Sequence, residues 1–122
     1  AVVDAAMNDM LRPSLYGAWM DIQPILYRDD LIESAYDVVG TVCKIGDFLG
    51  KDRDLKIKEG DYLCLFSAGS YGFVMSSNYN SRPRSAEIMV SEEKAYIIRK
   101  RETLSDLVRG EKLIGNDHDF KN

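Results

Sequence analysis

The sequence predicts a mainly β domain, a compact barrel or sandwich of short strands with little helix. Short runs rich in Val, Ile, Leu and Tyr recur along the chain, most of them bounded by Gly, Asp or Ser. The longest apolar runs have about five residues, the length of a strand and far too short for a membrane span. A helix-start signal of capping type stands near Thr103.

Taken in order, Val2 and Val3 open a short strand over Ala1–Asp4. It reads as already under way at the first residue, so the chain is expected to be cut from a longer protein. Met7–Gly17 is read as a turn-rich connection, because Pro13 disfavours helical geometry at Arg12. Ala18–Leu26 alternates in part and predicts a half-buried strand. Asp29 and Asp30 mark a solvated turn, and Ala35–Cys43 is a β-rich run. Gly46–Lys58 is charged and reads as a loop. Glu59-Gly60-Asp61 signals a turn before the strand Tyr62–Phe66.

Ser67–Arg84 is too polar and too rich in small residues to be a core element. Such loops bind ligands, because a backbone without bulky side chains lets a ligand come close. Ala86–Val90 and Ala95–Arg99 are two strands, joined by a hairpin turn at Ser91–Lys94. Thr103 caps a helix over Leu104–Arg109, with Asp106 in the capping-box position and Gly110 at its end. Residues 1–114 are thus one β domain and residues 115–122 a polar tail.

The 122 residues suffice for one domain with a real core. Hydrophobic residues make up 45% and charged residues 30%, the profile of a folded and not a disordered chain. A net charge of −4 argues against nucleic acid or an anionic membrane surface as partner. No basic segment precedes an apolar one, so no signal peptide is expected and the cytoplasm is the expected location. Cys43 and Cys64 are far apart in apolar contexts, which predicts reduced thiols. The only histidine, His118, lies in the polar tail, which argues against a His-based triad or a His-rich metal site.

Four places can carry chemistry. Cys43 ends an apolar run and enters a glycine loop beside Lys44, and an adjacent cation favours the reactive thiolate. The alternative is a small buried hydrophobe, and for Cys64, between Leu63 and Leu65, that alternative is stronger. Arg12 and Tyr16 flank a Pro13 turn that can hold a guanidinium for a carboxylate or phosphate, or leave it at the surface. Tyr71 stands between Gly69 and Gly72, where its hydroxyl can reach an anionic ligand. Arg82 and Arg84 are either anion contacts or a solvated edge.

Together these segments resemble one family. Asn8-Asp-Met-Leu-Arg-Pro-Ser-Leu-Tyr16, Asp37-Val-Val-Gly-Thr-Val-Cys-Lys-Ile-Gly-Asp-Phe-Leu-Gly50 and Ser67-Ala-Gly-Ser-Tyr-Gly-Phe-Val-Met-Ser-Ser-Asn-Tyr-Asn80 stand in the order and spacing of diaminopimelate decarboxylases. Arg101-Glu-Thr103 fits as well. The resemblance is to the C-terminal domain alone and implies a Greek-key-like β-barrel or sandwich similar to that of alanine racemase. These enzymes use pyridoxal 5'-phosphate (PLP) to convert meso-2,6-diaminopimelate to L-lysine. Their Schiff-base lysine and most of the phosphate cradle lie in an N-terminal (β/α)8 barrel, which is absent from this chain. The resemblance implies that Cys43 protonates the α-carbon after decarboxylation, reaching the site of the partner subunit in a homodimer. It implies that Arg12 and Tyr16 hold the distal end of the amino-acid substrate, and that Tyr71 contacts cofactor and substrate. The domain by itself is expected to be inactive.

One position departs from the family. Its motif is Cys-Glu-Ser/Thr-Gly/Ala-Asp, whereas here Cys43-Lys44-Ile45-Gly46-Asp47 stands. The family's glutamate accepts from the distal ammonium of the substrate, and Lys44 sets like charge against it. Two unit charges about 4 Å apart interact by roughly 4 kcal/mol at an effective dielectric near 20. The expectation is weakened diaminopimelate turnover, unless Asp47 takes over the role or the substrate differs. A sibling decarboxylase of ornithine, arginine or carboxynorspermidine and a non-catalytic dimerisation or regulatory domain stay open.

Overall fold

The computed structural model describes residues 1–114; the expected polar tail, with His118, lies outside the described residues. The described residues are mostly strand and turn with short helices, in agreement with the mainly β prediction. The strands pair as three two-stranded antiparallel sheets: β1 (Ile22–Pro24) with β4 (Leu63–Leu65), β2 (Ser34–Val39) with β3 (Phe48–Leu55), and β5 (Glu87–Ser91) with β6 (Lys94–Arg99).

The core lies between the first two sheets. Met10, Met20, Ile22, Val38, Leu49 and Leu55 form its buried cluster. Met10 comes from the connection that precedes the sheets, so burial ties that segment to them. Val39 exchanges backbone hydrogen bonds with the opening residues: Val3 N–H donates to Val39 C=O and Val39 N–H to Ala1 C=O, each at 2.9 Å. The expected strand at Ala1–Asp4 is therefore reduced to a single parallel bridge, Val2 to Val39.

Three expectations are corrected. The segment 46–58 is not a loop, since Phe48–Leu55 is a strand. Its charges hid it. Leu49 and Leu55 are buried, while Lys51 lies over the Phe48 ring and Arg53 over Trp19, at 4.3 and 4.6 Å from the ring centroids. Long cationic side chains can cover apolar surface and keep their charge in water. Secondly, the Pro13 segment is helical, α1 (Arg12–Tyr16). Proline is tolerated in the first turn, where its missing N–H has no intrahelical acceptor. Gly17 ends the helix at φ 63°, donating its N–H to Pro13 C=O at 2.9 Å. Thirdly, the β-rich run stops at Val39, not Cys43, and the run Ala18–Leu26 keeps only Ile22–Pro24 as strand.

The 67–84 segment is largely irregular, as expected, with one helical turn, α2 (Gly72–Met75), and a 3-10 turn at Tyr79–Ser81. The hairpin of β5 and β6 falls where predicted. Within this chain Ile88, Val90, Ile97 and Ile98 on it remain at least half exposed. The helix α3 (Leu104–Leu107) carries the predicted cap: Thr103 N–H and Oγ1 both donate to Asp106 Oδ2 at 2.8 Å.

Candidate functional site

The Cys43 loop, residues 40–47, leaves the end of β2 and returns into β3. Tight local bonds shape it: Lys44 N–H donates to Val42 C=O at 2.7 Å, and Asp47 N–H to Lys44 C=O at 3.0 Å. Asp47 is buried, and its carboxylate accepts the Met7 and Val42 N–H groups, each at 2.7 Å. Cys43 is exposed with a free thiol, so the small-buried-hydrophobe alternative fails for it. Cys64 is half-buried within β4 and fits that alternative better.

Arg12 and Tyr16 stand one turn apart on α1, spaced to share a helix face. The helix is fastened to the cysteine loop by Ser14, whose Oγ donates to Gly46 C=O at 2.6 Å. Tyr71 precedes α2 and is half exposed. The Arg12 guanidinium lies 5.3 Å from the centroid of its ring, which brings two of the expected site residues together. Gly72 is buried against Met10: a Cβ there would stand 3.2 Å from Met10 Cε. That close packing sets where Tyr71 leaves the core.

Lys44 reaches toward the same polar segment, its Nζ 5.9 Å from the Tyr79 ring centroid. Asp47 does not substitute for the family's glutamate, because both its oxygens are committed to backbone amides in a buried position. The two later arginines are also corrected. Arg82 Nη1 donates to Thr41 Oγ1 at 2.7 Å and Nη2 to Asp4 C=O at 2.5 Å, tying the 67–84 segment to the cysteine loop. Arg84 pairs with Glu102 at 2.6 Å and lies over Phe73. The Arg84 side chain and N–H, with Asn78, hold the Glu102 carboxyl well below its usual range, down to about 2. Both arginines are fasteners, not open anion contacts. Sequence reading missed Ser14, Thr41 and Tyr79 as connecting residues; their only signal was a place inside or beside the quoted motifs.

The donors gathered at Arg12 and Tyr71 are a guanidinium and a phenol, a chemistry that suits phosphate or carboxylate. They form an open surface. A cavity of about 580 Å3 lies beside the Tyr71 segment, between the core and the β5–β6 hairpin, lined by Met10, Leu65, Gly72, Phe73 and Ile98 among others. Among the described residues no group of three or more His, Cys, Asp and Glu is arranged to hold a metal ion. No helix there is long and apolar enough to cross a membrane.

Residues 1–69 match the family described as pyridoxal-dependent decarboxylase, C-terminal sheet domain. The chain belongs to this family. Outside that match, similarity to diaminopimelate decarboxylases continues through most of the remaining residues. The chain is 56% identical over 114 residues to the enzyme of Pseudomonas aeruginosa, covering 93% of this chain and 27% of that protein. It is 58% identical over 107 residues to the Vibrio cholerae enzyme, covering 88% of this chain and 25% of that one. Among solved structures, diaminopimelate decarboxylase from M. jannaschii in co-complex with L-lysine matches with a TM-score of 0.87 at 35% identity, over 93% of this chain and 26% of that one. The Helicobacter pylori enzyme complexed with L-lysine matches with a TM-score of 0.80 at 46% identity, over 88% of this chain and 27% of that one. The chain spans about a quarter of the length of the curated relatives it matches. The resemblance read from three separated motifs is thus the family that the pyridoxal-dependent decarboxylase match gives.

Proposed function

We propose that the chain is the C-terminal domain, residues 1–114, of a diaminopimelate decarboxylase whose cofactor-bearing barrel lies elsewhere in the polypeptide. Bound PLP supplies the electron sink for breaking the bond to carbon dioxide. The Cys43 thiol then gives its proton to the α-carbon and yields L-lysine. Arg12 and Tyr16 hold the distal end of the substrate, and Tyr71 contacts cofactor and substrate together. Lys44 sits where the substrate's distal ammonium is received and weakens that binding. The working unit is a cytoplasmic homodimer in which each Cys43 serves the partner's site.

The observation that carries this reading is Cys43: an exposed, free thiol on a loop built by buried hydrogen bonds, in a chain similar to diaminopimelate decarboxylases. The Arg12–Tyr71 contact supports an anion-receiving wall. Its open form agrees with a site that needs a second domain to close it, and the isolated domain is inactive for that reason.

A basic amino acid such as ornithine or arginine is the second substrate class to test, although Lys44 sets like charge against its side chain as well. The full-length polypeptide, supplied with PLP, should be assayed for carbon dioxide release on a panel of diaminopimelate, ornithine, arginine and carboxynorspermidine. Release from diaminopimelate ahead of the others bears the proposal out. A clear preference for another member reassigns the substrate, and no release from any member overturns the enzyme reading in favour of a non-catalytic domain.

A further inference from the structure

The loop that presents Cys43 is organised around one carboxylate. Asp47 is 4% exposed, and among the described residues its carboxylate meets no cation but two backbone donors, Met7 N–H and Val42 N–H, each at 2.7 Å. Val42 immediately precedes the thiol residue. Met7 belongs to the connection that carries Met10 into the core. One carboxylate therefore bridges the cysteine loop to the rigid interior across 40 positions of sequence. Gly40 N–H closes the loop on Asp47 C=O at 3.2 Å. From the far side Ser14 Oγ holds the Gly46 and Phe48 carbonyls, at 2.6 and 3.2 Å. Hydrogen bonds to an ionised acceptor are about twice as strong as neutral ones, and stronger still away from water.

We infer that Asp47 is a positioning residue for Cys43: its buried carboxylate fixes the backbone that carries the thiol, and so the place from which the proton is delivered. The kinetic consequence rests on the decarboxylase reading; the structural consequence does not. Asparagine is the discriminating substitution. Its amide oxygen can accept one of the two N–H groups, but its NH2 then faces the other donor to donor. Volume is kept and the bridge is cut on one side.

In the full-length polypeptide, Asp47→Asn is compared with the unaltered protein by three readouts. Amide hydrogen exchange at Met7 and Val42 reads the bridge, kcat and KM read the chemistry, and iodoacetamide labelling of half-buried Cys64 reads the integrity of the fold. The expected result is about tenfold or more loss of protection at one or both amides, the factor of a lost charge-assisted hydrogen bond. It is accompanied by a comparable fall in kcat with little change in KM, and unchanged Cys64 labelling. Retained protection together with retained kcat overturns the inference, as does a change confined to KM. If Cys64 becomes reactive the variant has lost its fold, and Ser14→Ala decides instead: lowered kcat at constant KM supports the positioning of this loop, unchanged kcat overturns it. If the unaltered protein releases no carbon dioxide from any substrate, the enzyme reading fails. Amide protection at Met7 and Val42 then still decides for or against Asp47.

Discussion

Replacing Gly40 by alanine should damage this protein far more than the same change at Gly46, six residues on in the same loop. A Cβ at Gly40 would stand 2.6 Å from both Ala6 Cα and Ala6 Cβ and closer still to Asp47 Oδ2, whereas ordinary contact begins at 3.4 Å. Ala6 is fully buried, so the backbone it belongs to yields at a cost. Overpacking of this kind costs about 1–3 kcal/mol. The same Cβ also pushes Asp47 aside and strains its bonds to Met7 and Val42, and a hydrogen bond to a charged group is worth about 1.5–3 kcal/mol. A loss of about 3–5 kcal/mol is expected, a large part of the roughly 5–15 kcal/mol that holds a domain together. At Gly46 a Cβ would meet nothing within 4 Å and the backbone needs no positive φ, so Gly46→Ala should be neutral or stabilising by less than about 1 kcal/mol. Urea unfolding of both variants measures this as a shift of midpoint at constant slope. A Gly40→Ala midpoint equal to that of Gly46→Ala would refute the account of how this loop is built.

Acid should loosen the 67–84 segment through Glu102. Its carboxyl is lowered from 4.5 to about 2 by Arg84, so the stability it contributes is fully present above about 4.5 and disappears as pH falls toward 2. Thermal unfolding followed across that window should show a flatter acid limb in Glu102→Gln. In the full-length enzyme, Lys44→Glu restores the family's residue and should raise kcat/KM for diaminopimelate by about tenfold or more, since about 1.4 kcal/mol already gives that factor; unchanged or lower kcat/KM would show that Lys44 does not limit this substrate. If sites are shared between subunits, mixing a full-length Cys43→Ala variant with one lacking the barrel's cofactor lysine should recover activity that neither has alone. Absence of recovery after subunit exchange would place Cys43 in its own subunit's site.

Local chemistry made some elements legible and hid others. The β5–β6 hairpin and the Thr103–Asp106 cap announce themselves, because turn residues and a capping pair act within a few positions. Strand β3 does not, since its Lys51, Asp52, Arg53 and Asp54 imitate a loop and only pairing with β2 makes it a strand. Helix α1 is concealed by a proline that a first turn tolerates. At the site, Arg12 and Tyr71 stand in separate motifs, and the fold brings them into contact. Beside Cys43 and Lys44 in sequence, Asp47 reads as an alternative substrate acceptor. Its partner Met7 is 40 residues away, and no reading of neighbours in sequence finds that bond. For Arg82 and Arg84 the sequence offers an anion contact or a solvated edge, and neither holds, for the same reason: Thr41 and Glu102, which they bind, are distant along the chain.

The central claim is that the exposed thiol of Cys43 delivers the proton, while Cys64 is structural. Each cysteine should be changed to alanine in the full-length enzyme and kcat measured with diaminopimelate and PLP. General acid catalysis contributes about 10²–10⁴-fold, so Cys43→Ala should lose about a hundredfold or more, with Cys64→Ala close to the unaltered enzyme. A Cys43→Ala enzyme with undiminished kcat would contradict the account.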